Sequence, residues 1–431
     1  MTDRLDLLLL GATGFTGIHC IPYLHKFSKS SGRNMTWGVA GRSEEKLKQA
    51  LEKIGKEIEA DLEKIPTIVV DINDEESLLK MAQRAKVVIN CCGPFFPTLG
   101  EAVVKACIAA GTHHVDVSGE PQYMEKVQLE QNVAAKEKGV YVVSACGLDS
   151  IPADLGIVFL QQEFEGTLNS VVTYMEAWEE GSRSTPGSAV NYGTWHSAVT
   201  SLGHWNDLVE LRKKLFPKKL PKFEPQLKHK VMPHKSNVVD GWVVPFPGSD
   251  RSVIKRSQLY FYEVDQRRPV QVGTYFVVKS LMGLILLAIF GTIFSLFTKF
   301  SFGRKLLLNY PEIFSGGYFS KKSPPEEKIQ KSWFQITLYG EGWKEKLTDK
   351  DDQYPKPCDK CIVGRVKGNN PGYGATCVCL VLSAIVIATE NDKLPGKGGV
   401  LAPGAAFAKT SLVKQLNENG VTFDVISQKD L

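Results

Sequence analysis

The strongest constraint on this chain sits at its start. Asp6-Leu-Leu-Leu-Leu-Gly-Ala-Thr-Gly-Phe-Thr-Gly17 runs four leucines into three glycines spaced three apart. An apolar run ended by glycine reads as a strand buried on both faces of a parallel sheet. A helix over about Thr16 to Lys29 follows. In such a strand–turn–helix unit Gly11 takes the tight turn, Gly14 admits a pyrophosphate to the backbone, and Gly17 lets the helix pack on the strand. With Thr13, Phe15 and Thr16 they form a loop whose amides and helix dipole face the phosphates of a dinucleotide. The spacing is G-x-x-G-x-x-G rather than the commoner G-x-G-x-x-G, so a purely structural glycine turn is the competing reading.

The next segments extend the same pattern. Thr36 to Arg42 reads as a second strand. An acid at its end would bind a ribose 2′-hydroxyl and mark NAD. The residue there is Arg42, and a guanidinium suits a 2′-phosphate, so NADP(H) is favoured over NAD(H). The alternative is an exposed arginine opening a helix from Ser43 to Lys56. Thr67 to Asp71 reads as a third strand, with Asp71 beside the expected adenine pocket. Asp74 then caps a helix reaching Ala85. Val87 to Cys91 reads as a fourth strand. Its exit, Cys92 to Pro97, lies where ligands sit in open α/β sheets, with Gly93 and Pro94 under the cofactor. Phe95 and Phe96 either wall a substrate channel or fill the core. A helix from Gly100, a strand His113 to Val117, a helix Gln122 to Lys138 and a strand Val140 to Ser144 complete a doubly wound sheet. His113 and His114 point to opposite faces and so cannot share a metal. The exit Ala145 to Gly156 places Asp149 and Ser150 either toward a reacting carbon or as helix caps.

By this point the residues match a known pattern. GATGFTG, AGRS, CCGPF, DVSGE and CGLDSIPADLG occur in this order, and the match continues through Gly193 to Trp195, Pro245 to Asp250, Gly316 to Ser320 and Gly398 to Phe407. The chain resembles the saccharopine dehydrogenase-like oxidoreductases of animals over essentially its whole length. Its first half is also similar to the mycobacterial trans-acting enoyl reductases. The resemblance implies a nicotinamide-dependent oxidoreductase fold and, in the animal branch, association with membranes or lipid droplets. It carries no catalytic residue onto these positions.

The second half adds three features. A strand over Ser170 to Glu176 and a Gly/Ser/Pro segment, Gly181 to Gly187, lead to a helix from about Ser188. Tyr192 and His196 lie four apart on it and share a face; either would serve as a proton donor, against plain packing. Residues 211–235 hold nine Lys or Arg and one acid, Glu224. This basic loop suits anionic lipid head groups or simple solvation. Ser280 to Thr298 carries no charge and is apolar all round. Its 19 residues give roughly 28 Å of helix, near the thickness of a hydrocarbon core. A spanning helix, a monotopic anchor and a buried core helix all fit. Trp333 to Tyr339 alternates as a strand, which Gly340-Glu-Gly342 is expected to turn toward a partner over Cys361 to Lys367. Cys358, Cys361, Cys377 and Cys379 lack the spacing of a zinc site, so no metal is expected. Ala375 to Thr389 reads as a helix. A helix Lys409 to Asn419 and a strand Val421 to Ile426 are expected to return to the first domain.

These readings give an α/β protein: an N-terminal Rossmann-type doubly wound parallel sheet (1–150), a second α+β substrate domain (151–370) carrying a hydrophobic membrane-associating helix at 280–298, and C-terminal elements (371–431). The 52 basic and 47 acidic residues, net +5, give no nucleic-acid signature. Nine cysteines without a regular framework point to a reducing, intracellular setting. The first strand begins so early that no cleavable leader is expected. The expected function is hydride transfer to or from an apolar or lipid-linked small molecule, whether enoyl, carbonyl or imine. It takes place at a membrane or lipid-droplet surface, or at an organelle membrane facing the cytosol. A homo-oligomer stays open. The alternative is a non-enzymatic lipid-droplet protein that keeps a dinucleotide fold for binding or sensing.

Overall fold

The computed structural model describes residues 4–30, 34–97, 99–181, 185–217 and 220–431. The chain divides into two compact units. The first comprises Met1–Leu148, Gly372–Leu401 and Lys409–Leu416, and the second Asp149–Pro371, Ala402–Ala408 and Asn417–Leu431.

The first unit is built on the opening leucines. β1 (Leu5–Leu10) has Leu7 to Leu10 fully buried. It leads through the glycine loop into α1 (Phe15–Ser30). There follow β2 (Trp37–Gly41), α2 (Glu44–Glu57), β3 (Thr67–Val69), α3 (Glu75–Ala82), β4 (Ala85–Asn90), α4 (Leu99–Ala110), β5 (His113–Asp116), α5 (Pro121–Lys138) and β6 (Tyr141–Val143). Ser43 and Asp74 cap α2 and α3 by accepting from Lys46 N and Glu76 N. All strands run parallel, in the order β6-β5-β4-β1-β2-β3, and a late strand, Gly399–Leu401, extends the sheet beside β6. This alternation with helices gives the doubly wound form. The helix Thr376–Thr389 is buried from Cys377 to Ile387 and packs on α1, β4 and β5. With the turn before it, the span Pro371–Thr389 is apolar and long enough to cross a membrane, but 78% of it is buried inside the protein.

The second unit opens with α6 (Ile151–Glu163), whose Pro152 lies in the first turn, and β7 (Thr167–Glu179). β7 is central to a mixed six-stranded sheet. The order is Val421–Asp430, Lys360–Asn369, Ser332–Trp343, β7, Gln271–Val278, Trp242–Pro245. α6 sits against this sheet. Gly156, Gly340 and Gly364 give it room: a side chain at any of them would collide with Leu338, with Ile362 and Leu168, or with Leu160.

Two expectations need correction. Gly340-Glu-Gly342 does not turn the chain but continues the strand to Trp343, with a bulge against β7 between Glu341 and Gly342. A Cβ at Gly342 would strike Thr167 O, so the glycine serves close strand contact instead. The last strand does not return to the first unit. It pairs antiparallel with Lys360–Asn369, held by Arg365–Asp424 at 3.1 Å and by Phe423 against Phe159, ring centroids 6.0 Å apart.

The charge-free segment forms the helix Leu281–Thr298. Ser280 caps it by accepting from Gly283 N at 3.0 Å. Its inner end rests on the helix Tyr192–Gly203: Trp195 packs on Phe294 at 4.9 Å and donates to Leu307 O at 2.8 Å, and Phe297 packs on Phe314 at 5.2 Å. Thr298 is its one buried residue among those described. The core-helix reading of this segment is therefore overturned. Of the basic stretch, residues 211–215 belong to the helix Trp205–Leu215, and Lys218 and Lys219 lie outside the described residues. The Gly181–Gly187 segment likewise has 182–184 outside them.

One buried carboxylate ties this unit together. Asp154 of α6 accepts from Ser257 Oγ at 2.7 Å and from Gly404 N at 2.6 Å. Burial pushes its pKa up to about 6. Asp154→Ala leaves both donors buried and unmet, and the expected loss is about 2 to 4 kcal/mol in a urea unfolding titration. The sign with pH also follows. The unfolded chain ionises Asp154 near pH 4 and the folded chain near 6, so folding stability falls as pH rises through that window. Asp154→Asn is expected to flatten this fall.

Candidate functional site

In the first unit the glycine loop has the geometry a diphosphate requires. Gly11 has φ +82°, a conformation that suits glycine. A Cβ at Gly17 would overlap the Gly11 carbonyl, which is how α1 comes so close to the end of β1. A Cβ at Gly14 would meet only Gly11 O, at 3.2 Å, so the space above the loop is open. Gly14 N itself donates to Gly11 O at 2.9 Å. The anion-facing donors are therefore the amides of the first turn of α1, from Phe15 and Thr16 onward, which have no intrahelical acceptor. Thr13 and Gly14 are exposed at the tip. Phe15 is fixed from behind by the Tyr373 ring, edge-on at 4.4 Å, and His19 packs on both rings.

Arg42 is exposed just after β2, and Ser43 rather than Arg42 supplies the cap of α2. Its charge reaches Cys92, so it stands at the same edge of the sheet as the β4 exit. Asp71 is exposed, and its Oδ1 accepts from Asn73 N at 2.9 Å and Nδ2 at 3.1 Å, forming a tight turn. Gly93 is exposed and Pro94 half-buried, whereas Phe95 is buried against Tyr123, centroids 5.5 Å apart. Phe95 thus fills core, and Phe96 is half-buried. Asp116, at the end of β5, gathers the neighbouring exits. Its carboxylate accepts from Ser118 N and Oγ, Tyr123 Oη, Ser144 Oγ and Ala145 N, all within 3.0 Å. His114 is buried with Nδ1 3.8 Å from Asp116, and His113 accepts from Tyr141 N.

The second unit holds the proton-donor candidates. Ser150 occupies the N-cap position of α6 but makes no side-chain cap bond. Its Oγ lies 3.2 Å from Ser249 Oγ. Asp149 is half-buried and accepts from Ser249 N, 3.3 Å from each carboxylate oxygen, while Ser249 Oγ donates to Asp149 O at 2.8 Å. Asp250 follows directly and is buried, near enough to the Asp149 carboxyl for the two charges to oppose each other. Burial raises Asp149 to about 6. Burial, reinforced by the Asp149 charge, pushes Asp250 well above the usual carboxylate range. Two carboxyls in contact cannot both ionise cheaply, so the pair retains a proton at neutral pH. Tyr192 and His196 lie elsewhere in this unit, in the packing around Trp195. Their rings are 6.0 Å apart, edge to face, and no hydrogen bond joins them. Burial raises Tyr192 and lowers His196.

Two elements were not legible in the sequence. Asp250 is 101 positions from Asp149, and only the recurrence of both segments in the family pattern hints that they meet. Tyr373 is 358 positions from Phe15, just ahead of the run from Ala375 whose signal was simply apolar helix. Among the described residues no three His, Cys, Asp or Glu side chains gather as a metal site.

Known proteins resemble the chain in the same two respects. Residues 7–143 match the family model described as the saccharopine dehydrogenase NADP binding domain. The chain is 38% identical to the saccharopine dehydrogenase-like oxidoreductase of Homo sapiens over 99% of this chain and 98% of that one. It is 37% identical to the lipid droplet localized protein of Caenorhabditis elegans over 100% of both. Among solved structures, apo saccharopine dehydrogenase (L-Glu forming) of Saccharomyces cerevisiae superposes with a TM-score of 0.53 over 98% of this chain and 100% of that one, at 14% identity, a likeness of fold alone. With full-length identity at this level, the chain belongs to the saccharopine dehydrogenase-like oxidoreductase family, and its first unit is an NADP-binding domain.

Proposed function

We propose that the protein is an NADP(H)-dependent oxidoreductase acting on an apolar or lipid-linked enoyl, carbonyl or imine group at an intracellular lipid surface. The cofactor supplies the hydride chemistry when bound. The chain's own part in binding it rests on Gly11, Thr13, Gly14, Phe15, Thr16 and Gly17 around the diphosphate, with Arg42 toward the 2′-phosphate. Gly93 and Pro94 lie along the exit of β4. Asp71, closed on Asn73, shapes the edge of the adenine side. Reduction also needs a proton, and the Asp149 carboxyl, paired with Asp250, suits that role better than Tyr192 or His196.

The observation that carries the lipid reading is the helix Leu281–Thr298. Only 6% of it is buried. Met282 is 65% exposed, and Leu281, Ile285, Leu286, Leu287, Ile289 and Leu296 are exposed with it, followed by Phe300 and Phe302. Its polar side chains turn inward on its own backbone: Thr292 Oγ1 donates to Ala288 O at 2.7 Å. Contiguous apolar surface of this kind marks a membrane or partner. The packed inner end favours a monotopic anchor over a span. The worm relative's name agrees with a lipid-droplet surface.

Three outcomes are expected. In calorimetry, Arg42→Ala weakens NADPH binding about tenfold or more, the worth of one charge-assisted bond, and leaves NADH binding unchanged; equal losses for both would remove the 2′-phosphate role. In flotation with lipid droplets, Leu286→Glu with Ile289→Glu abolishes association, while the unfolding transition stays in place. In steady-state oxidation of NADPH over a panel of enoyl, carbonyl and imine lipids, reduction slows as pH rises through about 6, where Asp149 loses its proton. Asp149→Asn lowers kcat about a hundredfold or more and flattens that profile. Tight NADPH binding with no turnover across the panel would favour a sensing protein.

A further inference from the structure

A second apolar surface lies in the same unit, away from the anchor helix in sequence, and the cofactor reading does not use it. The helices Trp205–Leu215 and Asp250–Glu263 border a groove of about 580 Å³. That lies within the usual range of small-ligand sites. Its apolar wall comes from Val209 and Phe216 on one side and Leu259 on the other. Pro217 and Leu220 add to it, and three cations, Arg212, Lys213 and Lys255, line it as well. No acidic side chain lines it among the described residues. Arg212 is anchored by donation to Ser252 Oγ at 3.1 Å, and the Lys255 ammonium lies over the Phe216 ring at 5.1 Å. Glu210 pairs with Lys213 at 2.6 Å, but both are exposed, and such a pair is weak and readily exchanged. The groove thus sets a cluster of cationic side chains against an apolar wall.

These two properties select an occupant. A neutral alkyl chain would satisfy the wall and leave the cations indifferent. Free phosphate would satisfy the cations and leave Val209, Phe216 and Leu259 in contact with water. A two-chain phospholipid needs more room than a groove of this volume bordered by two short helices. We propose that this groove binds a single long-chain fatty acid anion, with the tail along Val209, Phe216 and Leu259 and the carboxylate among Arg212, Lys213 and Lys255. This assignment is independent of the oxidoreductase reading and accounts for the basic residues at the start of the 211–235 stretch.

The test uses the full-length protein and a diazirine-bearing palmitate. After irradiation, peptide mapping locates the label. Labelling is expected on the peptides holding Val209, Phe216 and Leu259. Excess palmitate should compete it away, and neither hexadecanol nor inorganic phosphate should do so. Lys213→Glu with Lys255→Glu, both at exposed positions, should reduce it more than tenfold. Val209→Trp, which fills the groove, should do the same. NADPH binding, measured on each variant, should not change, which separates this site from the cofactor site and reports intact folding. Labelling confined to Leu281–Thr298 would overturn the proposal in favour of general adsorption to the anchor helix. Equal competition by hexadecanol, or labelling indifferent to the charge reversals, would overturn the anionic specificity on which it rests.

Discussion

The first unit depends on one contact, the approach of Gly17 to the carbonyl of Gly11. No side chain fits there, and because none is present α1 starts against the end of β1 instead of a turn further away. Everything on the cofactor side follows from that closeness. The first-turn amides are left without partners at the sheet's carboxyl edge, and a concentrated set of unmet donors at a helix start selects an anion. The back of the same helix also depends on it. Cys20 lies on α1 with its Sγ 3.1 Å from Cys377 Sγ, and Cys377 Sγ also reaches Thr16 O at 3.7 Å. The buried helix Thr376–Thr389, far along the chain, thus braces the loop from inside the unit. All nine cysteines are free thiols; the hydrogen bond to Cys377, with burial, raises Cys20, and burial raises Cys377, so these two serve as packing rather than chemistry.

The second unit handles charge in the opposite way. The first leaves donors exposed for a ligand to satisfy, whereas the second takes carboxyls out of water and raises the pH at which they ionise. Asp154 has two donors and the nearby Arg256 charge to hold it, and it titrates at about 6. Asp250 has another carboxyl as its neighbour and no such help, and it holds its proton far more tightly. The difference comes from partners, not from burial, since both are sealed off.

How much of this was readable in the chain varies with the range of the physics. The glycine loop, the cap at Asp74 and the alternation of strands with helices are decided by residues within a few positions of each other, and the structure has them where the spacing put them. Gly340 and Gly342 misled because glycine signals both turns and close backbone approach. Only the presence of β7 alongside shows which applies. The last strand misled for a similar reason: Phe423 and Asp424 find Phe159 and Arg365, and those partners are invisible in the local pattern. Asp149 stood out in sequence as a candidate, but its neighbour Asp250, 101 positions away, is supplied only by tertiary structure. Arg42, by contrast, stands where the local pattern put it, exposed just after β2.

The anchor helix poses a question of magnitude. An apolar side chain of this size gains about 1.5 to 3 kcal/mol on full removal from water, so one that is half exposed retains about 1 kcal/mol to be gained. Seven such residues on Leu281–Thr298 then offer roughly 5 to 10 kcal/mol, somewhat more than a single myristoyl chain, which binds membranes only reversibly. That range holds a protein on a surface without making it integral. The outer face supplies the attraction, while Phe294 and Phe297 spend the inner end on Trp195 and Phe314. Pulling the helix through a bilayer would strip those contacts and drag Lys279, bound to Glu176 and to Asp240 O, into hydrocarbon. For such a helix meeting a lipid surface, the cost of burying that charge, set against the few contacts left to gain, favours lying at the interface over spanning.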